Sequence, residues 1–299
     1  MRQMDIVLGT RGSALALKQT EWVAARLRQA CPQCRITLQV IRTRGDQIQH
    51  LPLNQIGDKG LFVTEIEQQI LSGQVTIGVH SLKDLPSSLQ PGCCLGPALA
   101  AEDPRDALVL RQGGTLQDLP KQAVIATGSA RRRLQLLQLR PDLNVVGIRG
   151  NIDTRLQKME QQQLDGLVLA AAGLKRMGLE DRISTCFEPE QMVSACGQGI
   201  LGLEVRSDNT AILQLLSRIS DETATLRMIA ERSWLKEIGG SCHIPAGARL
   251  KRQANQWVLY AMLADESGRM IRARRCVDPQ RIRQQAIDLA RQMKEELNA

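Results

Sequence analysis

Aromatic side chains are scarce in this chain. Phe, Trp and Tyr together make up 2% of its 299 residues. The cores must therefore be built from Leu, Ile, Val and Ala, and nucleic-acid binding by base stacking has few rings to use. No apolar run approaches the ~18 residues of a membrane span, and the N-terminus lacks the basic-then-apolar leader of a secreted protein. These absences point to a cytoplasmic protein with no membrane partner. The eight cysteines are scattered. Cys31-Pro32-Gln33-Cys34 has CxxC spacing, but no second pair or histidine follows at zinc-finger distance, so no metal is expected and the thiols are expected to be reduced. Acidic residues are outnumbered, 31 against 39 Lys and Arg, for a net charge of +8. That excess suits an acidic partner, whether nucleic acid, an anionic membrane, or a polycarboxylate or phosphate ligand; a solvated basic surface is the alternative.

What is present is ordinary for a soluble globular protein: 43% hydrophobic and 23% charged residues. The length allows two or three domains. Asp5 to Gly9 reads as a buried strand. Thr10-Arg11-Gly12-Ser13 is a turn, with Ser13 the N-cap of a helix from Ala14 to Ala30. Strand, glycine turn and helix N-terminus together make an anion site, to which Arg11 adds a full charge. Arg35 to Arg42 alternates as a second strand. A long polar connection then leads through Lys59-Gly60-Leu61-Phe62 into a helix ending at Leu71. Val75 to Val79 is a third strand, running into His80-Ser81-Leu82-Lys83-Asp84-Leu85-Pro86. Loops at the C-terminal ends of strands are where open α/β sheets keep catalytic groups, and Lys83 and Asp84 lie there; a solvated ion pair in a turn is the alternative.

Glu102-Asp103-Pro104-Arg105-Asp106 marks a change of direction. Strands follow at Ala107–Leu110 and Ala123–Ala126. Thr127-Gly128-Ser129-Ala130 then echoes Thr10-Arg11-Gly12-Ser13-Ala14 and leads into Arg131-Arg132-Arg133 and a Leu-rich helix; two matched α/β domains are the simplest account. Arg149 and Arg155 flank another helix start, and Arg176 follows the strand Gly166–Ala170. Arginine grips planar carboxylates with two bonds. We read Arg131, Arg132, Arg149, Arg155 and Arg176 as a carboxylate-binding set near strand C-termini or helix starts, with Arg131, Arg132 and Arg155 at exposed sites, and Arg133 and Arg140 as ordinary surface residues. A helix from about Glu222 to Lys236 stops at Gly239-Gly240. Cys242 then sits on a loop before the β-prone segment Trp257–Leu263, with Pro245 stiffening its exit. An accessible thiol favoured as thiolate by His243 and a half-buried structural cysteine are both open from local sequence. The last helix, Pro279 to Leu297, places Ile282, Ala286, Leu289, Met293 and Leu297 on one face.

These segments, from Leu8 to Ala248, resemble the porphobilinogen deaminase family: the opening Gly-Thr-Arg-x-Ser-x-Leu-Ala, Thr43-Arg44-Gly45-Asp46, the His-Ser-x-Lys-Asp-x-Pro run at 80–86, a Pro-Ala-x-Gly-Gln-Gly-type hinge at 194–199, and the Cys242 loop. The resemblance implies an α/β fold: two similar doubly wound, periplasmic-binding-protein-like domains around a cleft (1–99 with 200–219, and 100–199), plus a small α/β C-terminal domain (220–299). It implies a cytoplasmic monomer that does not bind nucleic acid and that condenses porphobilinogen into hydroxymethylbilane with loss of ammonia. A dipyrromethane cofactor would be held in thioether linkage at Cys242, with Asp84 as the catalytic carboxylate and Phe62 packed on pyrrole rings. Arg11, Ser13, Lys59, Lys83, Thr127, Ser129, Arg131, Arg132, Arg149, Arg155, Arg176 and Gln198 would bind cofactor and substrate. Ser241, Gly128, Ala130 and Ser194 depart from the family pattern, and the backbone N–H of Gly128 is expected to replace a serine donor. Two other classes compete. A binding module of the periplasmic type needs neither Cys242 nor Lys83-Asp84. A nucleic-acid binder is suggested by charge alone.

Overall fold

The computed structural model describes residues 4–43, 63–239 and 244–299. Lys59, Phe62 and Cys242 therefore lie outside the described residues. The described elements are β1 (Asp5–Thr10), α1 (Ala14–Ala30), β2 (Arg35–Val40), α2 (Thr64–Leu71), β3 (Ile77–Ser81), β4 (Cys93–Leu95), β5 (Asp106–Leu110), β6 (Val124–Ala126), α3 (Ala130–Leu139), β7 (Asn144–Val146), α4 (Ile152–Gln161), β8 (Gly166–Ala170), α5 (Ala171–Met177), β9 (Thr185–Phe187), β10 (Leu201–Arg206), α6 (Thr210–Arg218), α7 (Glu222–Ile238), β11 (Ala246–Gln253), β12 (Gln256–Ala264), β13 (Met270–Val277) and α8 (Ile282–Asn298). They fall into two compact units, residues 1–101 with 200–228 and residues 102–199 with 229–299.

In the first unit the strand order is β2-β1-β3-β10-β4. β1 runs parallel to β2 and β3, while β10 is antiparallel to β3 and β4. Helix α1 forms because Ser13 caps it, its Oγ accepting from the Ala16 amide at 3.3 Å. Val23, Ala24 and Leu27 recur at helical spacing and are fully buried, packed in one cluster with Ile6, Leu8, Ile77 and Leu203. The helix ends at Cys31, just before Pro32, and the turn that follows brings the Cα atoms of Cys31 and Cys34 to 5.4 Å, where a disulfide joins them. For this pair the expectation of reduced thiols does not hold.

The second unit repeats the plan. Its sheet has the order β7-β6-β8-β5-β9, with β6 parallel to β7 and β8, and β5 antiparallel to β8 and β9. Each sheet is thus three parallel strands followed by two that alternate in direction. The echo between Thr10–Ala14 and Thr127–Ala130 falls at equivalent βα turns, after β1 and after β6. The same unit holds a three-stranded antiparallel sheet, β11-β12-β13. On this sheet Val258, Tyr260 and Met262 pack with Val193. Helix α8 lies against β13 and β12 and buries Ile282, Ala286, Leu289 and Met293 of the expected face, while Leu297, near the C-terminus, is half-buried. Among the described residues no helix is long and apolar enough to cross a membrane.

Candidate active site

Because β1 and β3 are parallel neighbours, the turns after them emerge at one sheet edge. The first turn carries Arg11 and Ser13, the second Lys83 and Asp84. A hydrogen bond from Gln19 Nε2 on α1 to Ser81 Oγ at the end of β3 (3.0 Å) links the two. Residues Leu82–Asp84 form a single 3-10 turn. Its flanking leucines, Leu82 and Leu85, are buried, while Asp84 is exposed and Lys83 half-buried. The turn is pinned by the Leu82 amide, which donates to the Ile200 carbonyl at 3.0 Å, and by the Leu85 amide, which donates to Leu82 at 3.2 Å. Two buried anchors and two backbone bonds thus hold a carboxylate in solvent on a short, fixed arm. Beneath it, on β3, His80 is buried with Nε2 3.1 Å from Glu204 Oε2.

In the second unit the turns after β6, β7 and β8 share one edge in the same way. Ser129 caps α3, accepting from the Arg132 amide at 3.4 Å, and its own amide donates to Thr127 Oγ1 at 3.3 Å. Gly128 has a structural reason: a Cβ there would sit 2.8 Å from the Ile148 carbonyl oxygen. The site keeps glycine because the neighbouring backbone occupies the side-chain position. Arg155 Nε donates to the Gly150 carbonyl at 2.7 Å, and Arg176 Nη2 to the Gly199 carbonyl at 2.8 Å. Burial pushes the Arg176 guanidinium down to about 10, against the opposing pull of Glu102.

The expectation that Arg131 and Arg132 stand exposed fails; of the other three, Arg149 is exposed and Arg155 and Arg176 are half-buried. Arg131 and Arg132 are only 5% and 6% exposed. Both close on Asp106, which is fully buried at the start of β5. Arg131 Nη1 donates to Asp106 Oδ2 at 2.6 Å and Arg132 Nε to Oδ1 at 2.8 Å. Gln198 Nε2 adds a third donor at 3.0 Å and also donates to the Pro104 carbonyl at 2.7 Å. Arg131 and Gln135 both donate to the Val193 carbonyl. Burial alone would raise the Asp106 carboxyl, but the two guanidiniums hold it well below the usual carboxylate range. In the sequence Asp106 only closes the run Glu102–Asp106 that marks a change of direction, and nothing there singles it out. Its signal, an acid one position before an apolar strand, is weak.

A cavity of about 600 Å³ opens beside the N-terminus of α3, and Thr127, Ser129, Arg133, Arg149, Lys158 and Gln162 are among its lining residues. Among the described residues no acidic side chain lines it. Arg133, which sequence reading had set aside as ordinary surface, belongs to this wall. Arg133, Arg149 and Lys158 make this wall basic, which suits a group that carries carboxylates. The described structure resumes after Cys242 at Ile244, just before β11.

The family described as "Porphobilinogen deaminase, dipyromethane cofactor binding domain" matches residues 6–214, and "Porphobilinogen deaminase, C-terminal domain" matches residues 225–298. A protein named porphobilinogen deaminase from Clostridioides difficile (strain 630) is 45% identical over 90% of this chain and 89% of its own length. One of the same name from Roseiflexus sp. (strain RS-1) is 47% identical over the same shares. Among solved structures, a probable amino-acid ABC transporter extracellular-binding protein from Bacillus subtilis covers 73% of this chain and 90% of its own, with 11% identity and a TM-score of 0.45.

Proposed function

Because the chain belongs to the porphobilinogen deaminase family, we propose that Asp84 is its catalytic carboxylate, that Cys242 anchors the cofactor, and that the cations at the two sheet edges hold the acid arms of cofactor and substrate. The chain is a transferase. It condenses four porphobilinogen molecules, head to tail and one at a time, onto a covalently bound dipyrromethane, releasing ammonia and hydroxymethylbilane, a step of tetrapyrrole biosynthesis. When bound, the cofactor supplies the free pyrrole α-carbon to which the first unit is joined.

The residues divide the remaining work. Porphobilinogen carries an acetate, a propionate and an aminomethyl arm. Breaking its C–N bond releases the amine as ammonia and leaves a cationic azafulvene. Asp84, exposed on its pinned turn, accepts a hydrogen bond from the pyrrole N–H and stabilises that cation; the same oxygens then take the α-proton lost once the new C–C bond has formed. Lys83, Arg11 and Ser13 of the first unit and Arg149, Arg155, Arg176, Thr127 and Ser129 of the second serve the acid arms. Arg131, Arg132 and Gln198, held on Asp106, are proposed to complete the set. Lys59 and Phe62 are proposed to bind at the same centre. Residues 1–99 with 200–219 supply the carboxylate, 100–199 the arginines, and 220–299 the attachment cysteine. The family relationship and the spread of cations over separate turns favour a cytoplasmic monomer without a nucleic-acid partner.

The observation that carries the assignment of Asp84 is its exposure on a turn clamped between buried Leu82 and Leu85. The test is ammonia release from porphobilinogen by the cofactor-loaded enzyme. Asp84→Asn keeps the shape and loses the charge, so kcat should fall by about 10²–10³. Asp84→Glu should retain part of the activity. A folded, cofactor-loaded Asp84→Asn enzyme turning over at the wild-type rate would pass the proton-handling role to another acid.

A further inference from the structure

Beneath the Asp84 turn lies a cluster of ionisable side chains to which the family reading gives no role. His80 on β3, Glu204 on β10 and Glu67 on α2 are all buried, Glu204 completely. His80 Nε2 stands 3.1 Å from Glu204 Oε2. Glu67 Oε1 accepts from the Gln90 amide at 3.0 Å, and the Glu67 carboxyl shares a hydrogen bond with that of Glu204. Two carboxyls can share a hydrogen bond only when one of them holds a proton. Burial raises the Glu67 carboxyl above its ordinary value, against the Gln90 amide, and Glu204 pushes it the same way. Cys93 of β4 borders the cluster as a neutral thiol, pushed up to about 12 by burial and by the two acids.

Two glycines make this cluster and the Asp84 turn neighbours. In the register of β10 on β3, Glu204 lies opposite Gly78 and Gly202 opposite His80. A Cβ on Gly78 would come within 2.8 Å of His80 Nε2, and one on Gly202 within 2.8 Å of Leu85 Cδ1 and 3.2 Å of Leu82 Cδ1. The first glycine opens room for the imidazole. The second lets the leucines that clamp the turn rest on the β10 backbone. Helix α2 reaches both places: Val63, its N-cap, falls in one apolar cluster with Leu82 and Leu85, and Glu67, one turn on, meets Glu204. Apolar side chains would fill the same space without burying ionisable groups. The ionic contacts add direction, because they fit α2, β3 and β10 together in one arrangement.

We infer that His80, through Glu204 and Glu67, is a positioning residue that fixes the turn bearing Asp84 for the condensation reaction. Buried on its strand, it acts through the turn and not on the reacting atoms. The inference rests on the deaminase reading, with Asp84 as its carboxylate.

The experiment measures kcat and KM for ammonia release from porphobilinogen. It uses cofactor-loaded wild type, His80→Leu, His80→Gln, Glu204→Gln and His80→Leu/Glu204→Gln, at a temperature where circular dichroism shows each protein folded. His80→Leu keeps an apolar bulk and loses the ring nitrogens. Its kcat should fall by about ten- to a hundred-fold, the penalty of a misplaced reacting group, with KM within about two-fold of wild type. His80→Gln returns an N–H near the place of Nε2 and should recover most of kcat. The loss in the double variant should match that of the worse single one, because the pair acts as a unit. A residue that only filled the core would lower Tm in His80→Leu and leave kcat of the folded enzyme unchanged; that result overturns the inference. So do equal losses in His80→Leu and His80→Gln, or additive losses in the double variant. Should His80→Leu not fold, the shorter His80→Asn takes its place: its kcat must fall below that of His80→Gln, and equal values overturn the inference. A wild type that releases no ammonia overturns the deaminase reading itself, a result distinct from all of these.

Discussion

Replacing Asp106 by Asn should destabilise the second unit by about 3–5 kcal/mol, the cost of breaking a buried ion pair from one side. At an effective dielectric near 20, a charge pair about 3 Å apart attracts by roughly 5–6 kcal/mol. Burying each ion costs several kcal/mol in return, so the intact cluster contributes little net. Removing its single anion is a different matter. Arg131 and Arg132 would then lie side by side, nine-tenths buried, with an amide N–H₂ aimed at them where an oxygen had been. For a unit of this size the loss corresponds to a fall in Tm of roughly 6–20 °C. The pH dependence supplies an independent check. The folded carboxyl of Asp106 titrates below its unfolded value of about 3.9. Its contribution is therefore full above that value and is lost as pH falls through the folded one. Thermal melts of wild type and Asp106→Asn should be separated at pH 7 and converge below about pH 4. A difference under about 1 kcal/mol, or one that stays constant down to pH 2, would refute the claim that this carboxylate holds the arginine pair.

Two further outcomes are expected. Cys242→Ser protein should show the bare sequence mass, whereas wild type should be heavier by a covalent dipyrrole; a retained adduct in the variant would move the anchor to another cysteine. Ser129→Ala removes the cap of α3 and should cost about 0.5–1 kcal/mol in chemical denaturation, the low end for caps because its bond is long at 3.4 Å.

Much of this was readable where local signals agree. Ser13 is legible as a cap because it follows a short apolar strand and precedes helix formers, and the echo at Thr127–Ala130 puts Ser129 at the equivalent place. The face of α8 was legible from its period, and Gly239, at φ +74, ends α7 as a glycine past a helix end should. What escaped reading depends on partners far away in sequence. β10 places Glu204, fully buried, in the middle of an apolar strand, and only the pairing with β3 and the approach of His80 explain it. β4 and β9 are three residues long, too short for alternation to register. Arg131, Arg132 and Arg133 are consecutive and alike on paper. Their helix turns the first two inward to an aspartate 25 and 26 residues upstream and the third toward the cavity.

The strand order of the first sheet also bears on synthesis. Strands β5 to β9 find all their neighbours within residues 106–187, so the second sheet can close as soon as that stretch has emerged. β4 is different: among the described strands its only neighbour is β10, which begins at Leu201. Until the ribosome passes Arg206, the nascent first sheet presents β3 as an open edge and leaves β4 unpaired, while the later-coded sheet is already complete. Bare edges of this kind recruit other chains. A stall or premature stop between Phe187 and Leu201 would therefore release a molecule with one finished sheet and one sticky one.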